Sequence, residues 1–203
     1  EYLEPALAAS TRGVALIRRL LTFARSQPLA PQAVEVGELV RSMSVILERT
    51  LGETIAIVLD LPETPLHAYA DAHQLESALL NLALNARDAM LERGGTLTIR
   101  VRPDTTDDAG QCVRFEVADT GCGIAAEQIS HVFEPFYTTK PFGRGSGLGL
   151  AMVYGFVRQS GGDIRVHSEP GRGTTFSFTL PQAPAAEGAR GTDEAQDDEA
   201  PPP

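Results

Sequence analysis

The sequence predicts an α/β two-layer sandwich, a mixed sheet packed on helices, with one long helix in front of it. Three observations lead there. From position 33 onward, stretches in which apolar residues alternate with period two take turns with stretches of period near 3.6. Glycine pairs and clusters stand at the changeovers, where the chain turns sharply. Before position 28 the apolar residues instead follow alternating steps of four and three, the signature of a helix seam.

Leu3, Leu7, Ser10, Val14, Ile17, Leu21 and Ala24 form that seam, and Ala9, Gly13, Leu16, Leu20 and Phe23 widen it. Burying its five large residues is worth about 1.5–3 kcal/mol each, too much to leave in water on a lone helix. Helix 1–27 therefore packs in a bundle, the alternative being a core helix of the same domain. Pro28 and Pro31 end it and make 28–32 a linker. The main domain, 33–182, opens with a short strand at 33–36 and a helix at 38–49 with Leu39, Met43, Ile46 and Leu47 inward. Strands follow at 54–60 and 66–70. Asp71 and Gln74 form a capping box for a long helix ending near Met90. Gly94 and Gly95 turn the chain into a strand at 96–102, whose partner is 111–118. A short helix at 125–131, a helix at 148–159 and strands at 163–168 and 174–180 complete the domain.

The chain has 203 residues and a formal net charge of −10. Half of that charge lies in the tail 183–203, where six acids face Arg190 alone. This Ala-, Pro- and acid-rich tail lacks apolar periodicity and reads as a disordered tail or linker. Clustered basic residues, which a nucleic-acid groove needs, are absent. No apolar run approaches the roughly 18 residues of a membrane span, and Glu1 opens inside a helical pattern without a signal peptide. The expectation is a cytoplasmic piece of a longer protein with no membrane contact of its own. Cys112 and Cys122 have neither metal-ligand nor disulfide-framework spacing.

Three motifs carry chemistry. In GSGLGL, Gly145, Gly147 and Gly149 let the main chain approach a phosphate, and the helix that follows offers free N–H groups and a positive dipole end. In NLALN, Asn81 and Asn85 share one helix face, with Asp88 close to the same line. Carboxamides among Leu79, Leu80, Leu82, Ala83 and Leu84 need partners, since an unsatisfied buried amide costs about 1–3 kcal/mol. They either cap neighbouring backbone or face a hydrated magnesium ion. In DTGCGI, Asp119 ends an apolar strand before the Gly121/Gly123 turn. Its carboxylate either caps that turn or accepts a hydrogen bond from an amine such as that of adenine. Between DTGCGI and GSGLGL stands Lys140, the single lysine of the chain.

In this order, NARDAM, DTGCGI, FEPFYTTK, GSGLGLAMVYG and SEPGRGTTF resemble the ATP-binding domain of sensor histidine kinases, those of hybrid type in particular. That domain belongs to a superfamily with DNA gyrase, mismatch-repair ATPases and heat-shock chaperone ATPases. The resemblance spans 34–181 and implies a Bergerat-type fold that binds ATP and Mg²⁺ and passes the γ-phosphoryl to a histidine. It assigns Asn85 to the metal and Asp119 to adenine, with Thr174 assisting. It makes the segment around Phe136, Thr138 and Thr139 a mobile lid anchored by Phe133 and Phe136. Lys140 and Arg144 would neutralise phosphate charge, or form a plain basic loop. Asn81, Asp88, Gly121, Gly123, Ile124, Ser146, Leu148 and Leu150 complete the implied nucleotide contacts, and Asn81 and Lys140 are the catalytic candidates.

Hydrolytic relatives such as gyrase carry glutamate where this chain has Asn81, a poor general base, so transfer is favoured over hydrolysis. Many histidine kinases place a basic residue where Asp88 stands, with Arg87 one earlier here, which puts the phosphate contact from that position in doubt. His67, His73, His131 and His167 do not fit the acceptor motif, so the phosphoacceptor would precede Glu1. Helix 1–27 would be the second helix of a dimerisation and phosphotransfer hairpin, giving a homodimer. The tail would tether a receiver domain, or the partner would be a separate response regulator. Two other readings are a regulatory module that binds nucleotide without catalysis and a gyrase-type ATPase. Asp-Thr-Gly is also the local signature of aspartic proteases, but those need two such carboxylates and the chain has one.

Overall fold

The structure, a computed structural model, describes residues 29–106, 110–140 and 145–183. Helix 1–27, Pro28 of the linker, the acidic tail beyond Ala183 and Arg144 lie outside them. Among the described residues, strand β1 (Gln32–Glu35) is followed by α1 (Val36–Leu51), β2 (Ile55–Asp60), β3 (His67–Ala70) and α2 (Ala72–Met90). Then come β4 (Gly95–Thr106), β5 (Gly110–Asp119), α3 (Ala126–Ile129), α4 (Gly149–Gln159), β6 (Ile164–Glu169) and β7 (Gly173–Pro181). The five-stranded sheet runs β2-β4-β5-β7-β6, with β2 parallel to β4 and the other pairs antiparallel. The mixed sheet is as expected, with one difference. β1 and β3 leave it to form their own antiparallel pair. Each is only four residues long and reaches the domain by other routes: Val36 N bonds Leu66 O, and Ala68 bridges Gln182 just beyond β7.

One face of the sheet carries Leu97, Ile99, Phe115, Val117, Phe178 and Leu180, all buried, against Leu47 of α1, Leu75, Leu79, Leu82 and Met90 of α2, and Val153 and Val157 of α4. Phe115 and Phe178 are direct cross-strand partners and stack at 4.8 Å, a contact worth about 0.5–1.5 kcal/mol beyond its buried area. The other face is charged: Arg100 joins Asp60 to Glu116, and Arg102–Asp60 and Arg114–Asp104 pair beside it. These half-exposed pairs contribute little stability and mark the solvent side.

Helix α1 buries Val36, Leu39, Val40, Met43, Leu47 and Leu51. Ile46, expected inward, is instead 56% exposed. It falls off the edge of the stripe centred on Val36, Met43 and Leu47, which has apolar neighbours enough to fill the contact without it. Asp71 caps α2 through Gln74 N at 3.1 Å, and its second oxygen accepts from Ala30 N at 3.1 Å. The carboxylate thereby fixes both the start of the helix and the chain that enters the domain.

Candidate active site

A cleft of about 700 Å³ opens between α2, the ends of β5 and β7, Val132, residues 137–140 and the glycine box. At its inner end Asp119 is the last residue of β5 and lies directly opposite Thr174 of β7. Both are buried. Asp119 Oδ1 accepts from Gly121 N at 2.8 Å and from Thr174 N at 3.3 Å. Among the described residues no donor reaches Oδ2, which leaves a fixed acceptor for a ligand amine. Burial raises the Asp119 pKa above the ordinary value, against the pull of those two N–H groups.

The glycines here are required by close approach. A Cβ on Gly123, whose φ is +72°, would sit 2.2 Å from Glu169 O, and one on Gly121 would meet Ala89 Cβ at 2.7 Å. Gly121 thus holds the carboxylate from behind, outside the cleft wall, whereas Gly123 and Ile124 line it. Cys122 N bonds Ala89 O at 3.1 Å and Gly171 N bonds Cys122 O at 2.8 Å, so the loop is stapled to α2 and to the β6–β7 turn. Ser168, which the sequence reading missed, ties this end together. Its Oγ accepts from Ile124 N at 2.8 Å and lies 2.9 Å from both Thr174 Oγ1 and Gly173 O. The signal was available: the tight turn in SEPGRGTTF puts Ser168 opposite Thr174.

At the outer end α2 presents Asn81, Asn85 and Asp88 to the cleft. Asn81 has no side-chain hydrogen bond among the described residues, and its Oδ1 lies 3.3 Å from where a Cβ on Gly149 would stand. That contact brings α2 against the start of α4. No side chain caps α4, so its first N–H groups are open beside Gly149 and Leu150, both in the wall. Gly145, Ser146, Gly147 and Leu148 line the same stretch, as do Thr138, Thr139 and Lys140. Lys140 Nζ lies 2.5 Å from Asp88 Oδ2 and 3.4 Å from Asn85 Oδ1. Asp88 Oδ1 is held by Arg87 at 3.0 Å, and Arg87 also donates to Thr50 O at 3.3 Å. Burial would raise the Asp88 pKa, but the bonds from Lys140 and Arg87 outweigh it and hold it below the ordinary value.

Phe136 departs from expectation. Its side chain is 53% exposed and outside the wall, so Phe133, packed on Tyr154 and Phe176, is the aromatic anchor of this segment. The Phe136 backbone does the work instead. Its φ of +69° is the one left-handed value at a non-glycine among the described residues, and its N–H donates to Gly147 O at 2.8 Å. A Cβ on Gly147, at φ +64°, would lie 2.4 Å from Phe136 C, so the glycine box and the segment before it interlock.

Residues 70–184 match the family model described as histidine kinase-, DNA gyrase B-, and HSP90-like ATPase. The chain belongs to that family. It is 42% identical over 183 residues to the sensor kinase CckA of Brucella abortus, covering 85% of this chain and 19% of the relative. It is 36% identical over 167 residues to the sensor histidine kinase ZraS of Escherichia coli, covering 82% of this chain and 34% of the relative. This member of the ATPase family thus spans a fifth to a third of those relatives. The crystal structure of full-length ShkA in complex with AMPPNP superposes with a TM-score of 0.73 at 31% identity, over 89% of this chain and 38% of that one.

Proposed function

We propose that this domain binds ATP and is the catalytic part of a sensor histidine kinase, passing the γ-phosphoryl to a histidine outside residues 29–183. The observation that carries the reading is the polarity of the cleft. One end offers a buried carboxylate with an open acceptor oxygen, and the other offers an uncapped helix N-terminus, two carboxamides and a lysine. Asp119 and Thr174 would take the adenine edge, and Gly145 to Leu150 the phosphates. The residues fit a divalent ion, because a cation, the Lys140 ammonium, already stands between Asn85 and Asp88. Among the described residues no three His, Cys, Asp or Glu cluster, so ligand phosphates and water would complete the shell of a Mg²⁺ ion held by Asn85. When bound, Mg²⁺ would neutralise charge on the phosphates.

Transfer rather than hydrolysis is supported by Asn81 in the same wall, a carboxamide and therefore a poor general base for activating water. Helix 1–27 would give a homodimer, and a receiver domain in the same chain or a separate response regulator would take the phosphoryl onward. Among the described residues no helix is long and apolar enough to cross a membrane.

Supplying a histidine-bearing helical hairpin, in the same chain or as a partner, should yield label from γ-labelled ATP that is stable in alkali and lost in acid. Lys140→Ala should reduce it. Fast multiple-turnover hydrolysis without transfer to that histidine would favour the gyrase-type reading. Ultracentrifugation tests the dimer, which Ile17→Asp with Leu21→Asp should dissociate.

A further inference from the structure

The geometry points to a cation position on α2, formed by Asn85 Oδ1 and Asp88 Oδ2, that the Lys140 ammonium and a divalent metal ion occupy by turns. The inference rests on the nucleotide reading above and gives Asp88 a role as partner of the metal rather than of the phosphates. Residues three apart on a helix stand one above the other, so the two oxygens face the same point. The ammonium marks that point, at 2.5 Å and 3.4 Å from them. Asp88 is not free to turn away. Arg87 holds Oδ1 at 3.0 Å and 3.2 Å and is itself tied to the carbonyl of Thr50 at the end of α1. Oδ2 alone is thereby aimed into the cleft.

A carboxylate at this place repels phosphate unless a cation lies between them, and a carboxylate with a carboxamide oxygen is a hard-oxygen pair suited to Mg²⁺. Two cations cannot share one such point. Entry of the metal with nucleotide must therefore expel the lysine. Thr138 Oγ1 accepts from Lys140 N at 3.2 Å, and a Cβ on Gly145 would lie 3.1 Å from Lys140 Cδ, so the released side chain stays beside the glycine box. The ion pair thus holds this segment against α2 until metal-bound nucleotide replaces it, and the freed ammonium then faces the phosphates.

The test is calorimetric titration of the whole chain with ATP in EDTA and at graded Mg²⁺, with adenosine as control. Asp88→Asn should shrink the gain in ATP affinity from Mg²⁺ by about tenfold while adenosine affinity stays as in the parent, and Asp88→Glu should restore part of the gain. Lys140→Met, which removes the competitor, should shift the Mg²⁺ midpoint to concentrations several-fold lower. Mn²⁺ supplies a second readout, since the depletion of its free electron-paramagnetic-resonance signal in the presence of ATP should weaken in Asp88→Asn. An unchanged Mg²⁺ gain in Asp88→Asn, or a Mg²⁺ midpoint that stays or rises in Lys140→Met, would overturn the exchange while leaving nucleotide binding intact. Failure of the parent to bind either adenosine or ATP would remove the nucleotide reading, and the exchange with it.

Discussion

At the inner end of the cleft the polar groups are positioned by main chain: Asp119 by the N–H groups of Gly121 and Thr174, Ser168 by strand register and Ile124 N. At the outer end they are positioned by charges on side chains from different elements, Arg87 and Asp88 of α2 with Lys140 52 residues later. The two carboxylates record the difference. Burial raises the pKa of Asp119, while at Asp88 the bonds from Lys140 and Arg87 outweigh burial and lower it. A site made from backbone is preorganised and selective, and a site made from partly exposed ion pairs can be rearranged by a competing ion. The first suits recognition of a base, and the second suits a step in which phosphate charge moves.

The sharpest way to break this contrast is Asp119→Asn. Losing a charge-assisted acceptor, about 1.5–3 kcal/mol, should lower affinity for adenosine and ATP alike by roughly ten- to a hundredfold. Equal affinities in a folded variant would show that the inner end does not hold the base. Gly147→Ala should act only at the outer end. A side chain at φ +64° against Phe136 costs on the order of 1–2 kcal/mol, so ATP affinity should drop roughly tenfold with adenosine binding unmoved. A matching loss for adenosine would mean that the ends are one unit.

Acid should separate them next. Because its pKa is raised, Asp119 takes up a proton at higher pH than an ordinary carboxylate, so adenosine binding should fall with a midpoint above 3.8, and that limb should vanish in Asp119→Asn. Asp119 also makes folding stability decline as pH rises from 3.8 through its raised pKa, since the folded state binds the proton more tightly. Asp88 does the reverse: its contribution is present above 3.8 and lost as pH falls through its depressed pKa. The smallest effect is expected for Ser168→Ala. Loss of a shared hydroxyl, about 1 kcal/mol, should weaken adenosine several-fold and lower the melting temperature slightly. Weakening confined to ATP would place Ser168 with the phosphates.

Much of this was legible in order along the chain. Period two and period 3.6 located the strands and helices, and glycine spacing located the turns, because these patterns arise within a few residues of one another. The Asp71 cap at Gln74 and the shared face of Asn81, Asn85 and Asp88 are of the same local kind. Ile46 was misjudged because a helix stripe has soft edges and its neighbours decide which residue is covered. The separation of β1 and β3 from the main sheet, the exposure of Phe136 and the joining of Ser168 to Ile124 all depend on contacts between distant segments.

By itself the sequence determined the alternation of elements, the uncapped helix after the glycine box and the chemical types facing one another on α2, since each follows from covalent spacing and local conformational preference. Only the tertiary structure decided what those groups do together. It spent Asp119 Oδ1 on backbone and left Oδ2 open, set the Lys140 ammonium on Asn85 and Asp88, and locked Gly147 under Phe136. The physical reason is that a side chain's remaining hydrogen-bonding capacity is what packing leaves after every nearer partner has been satisfied, and those partners come from across the fold.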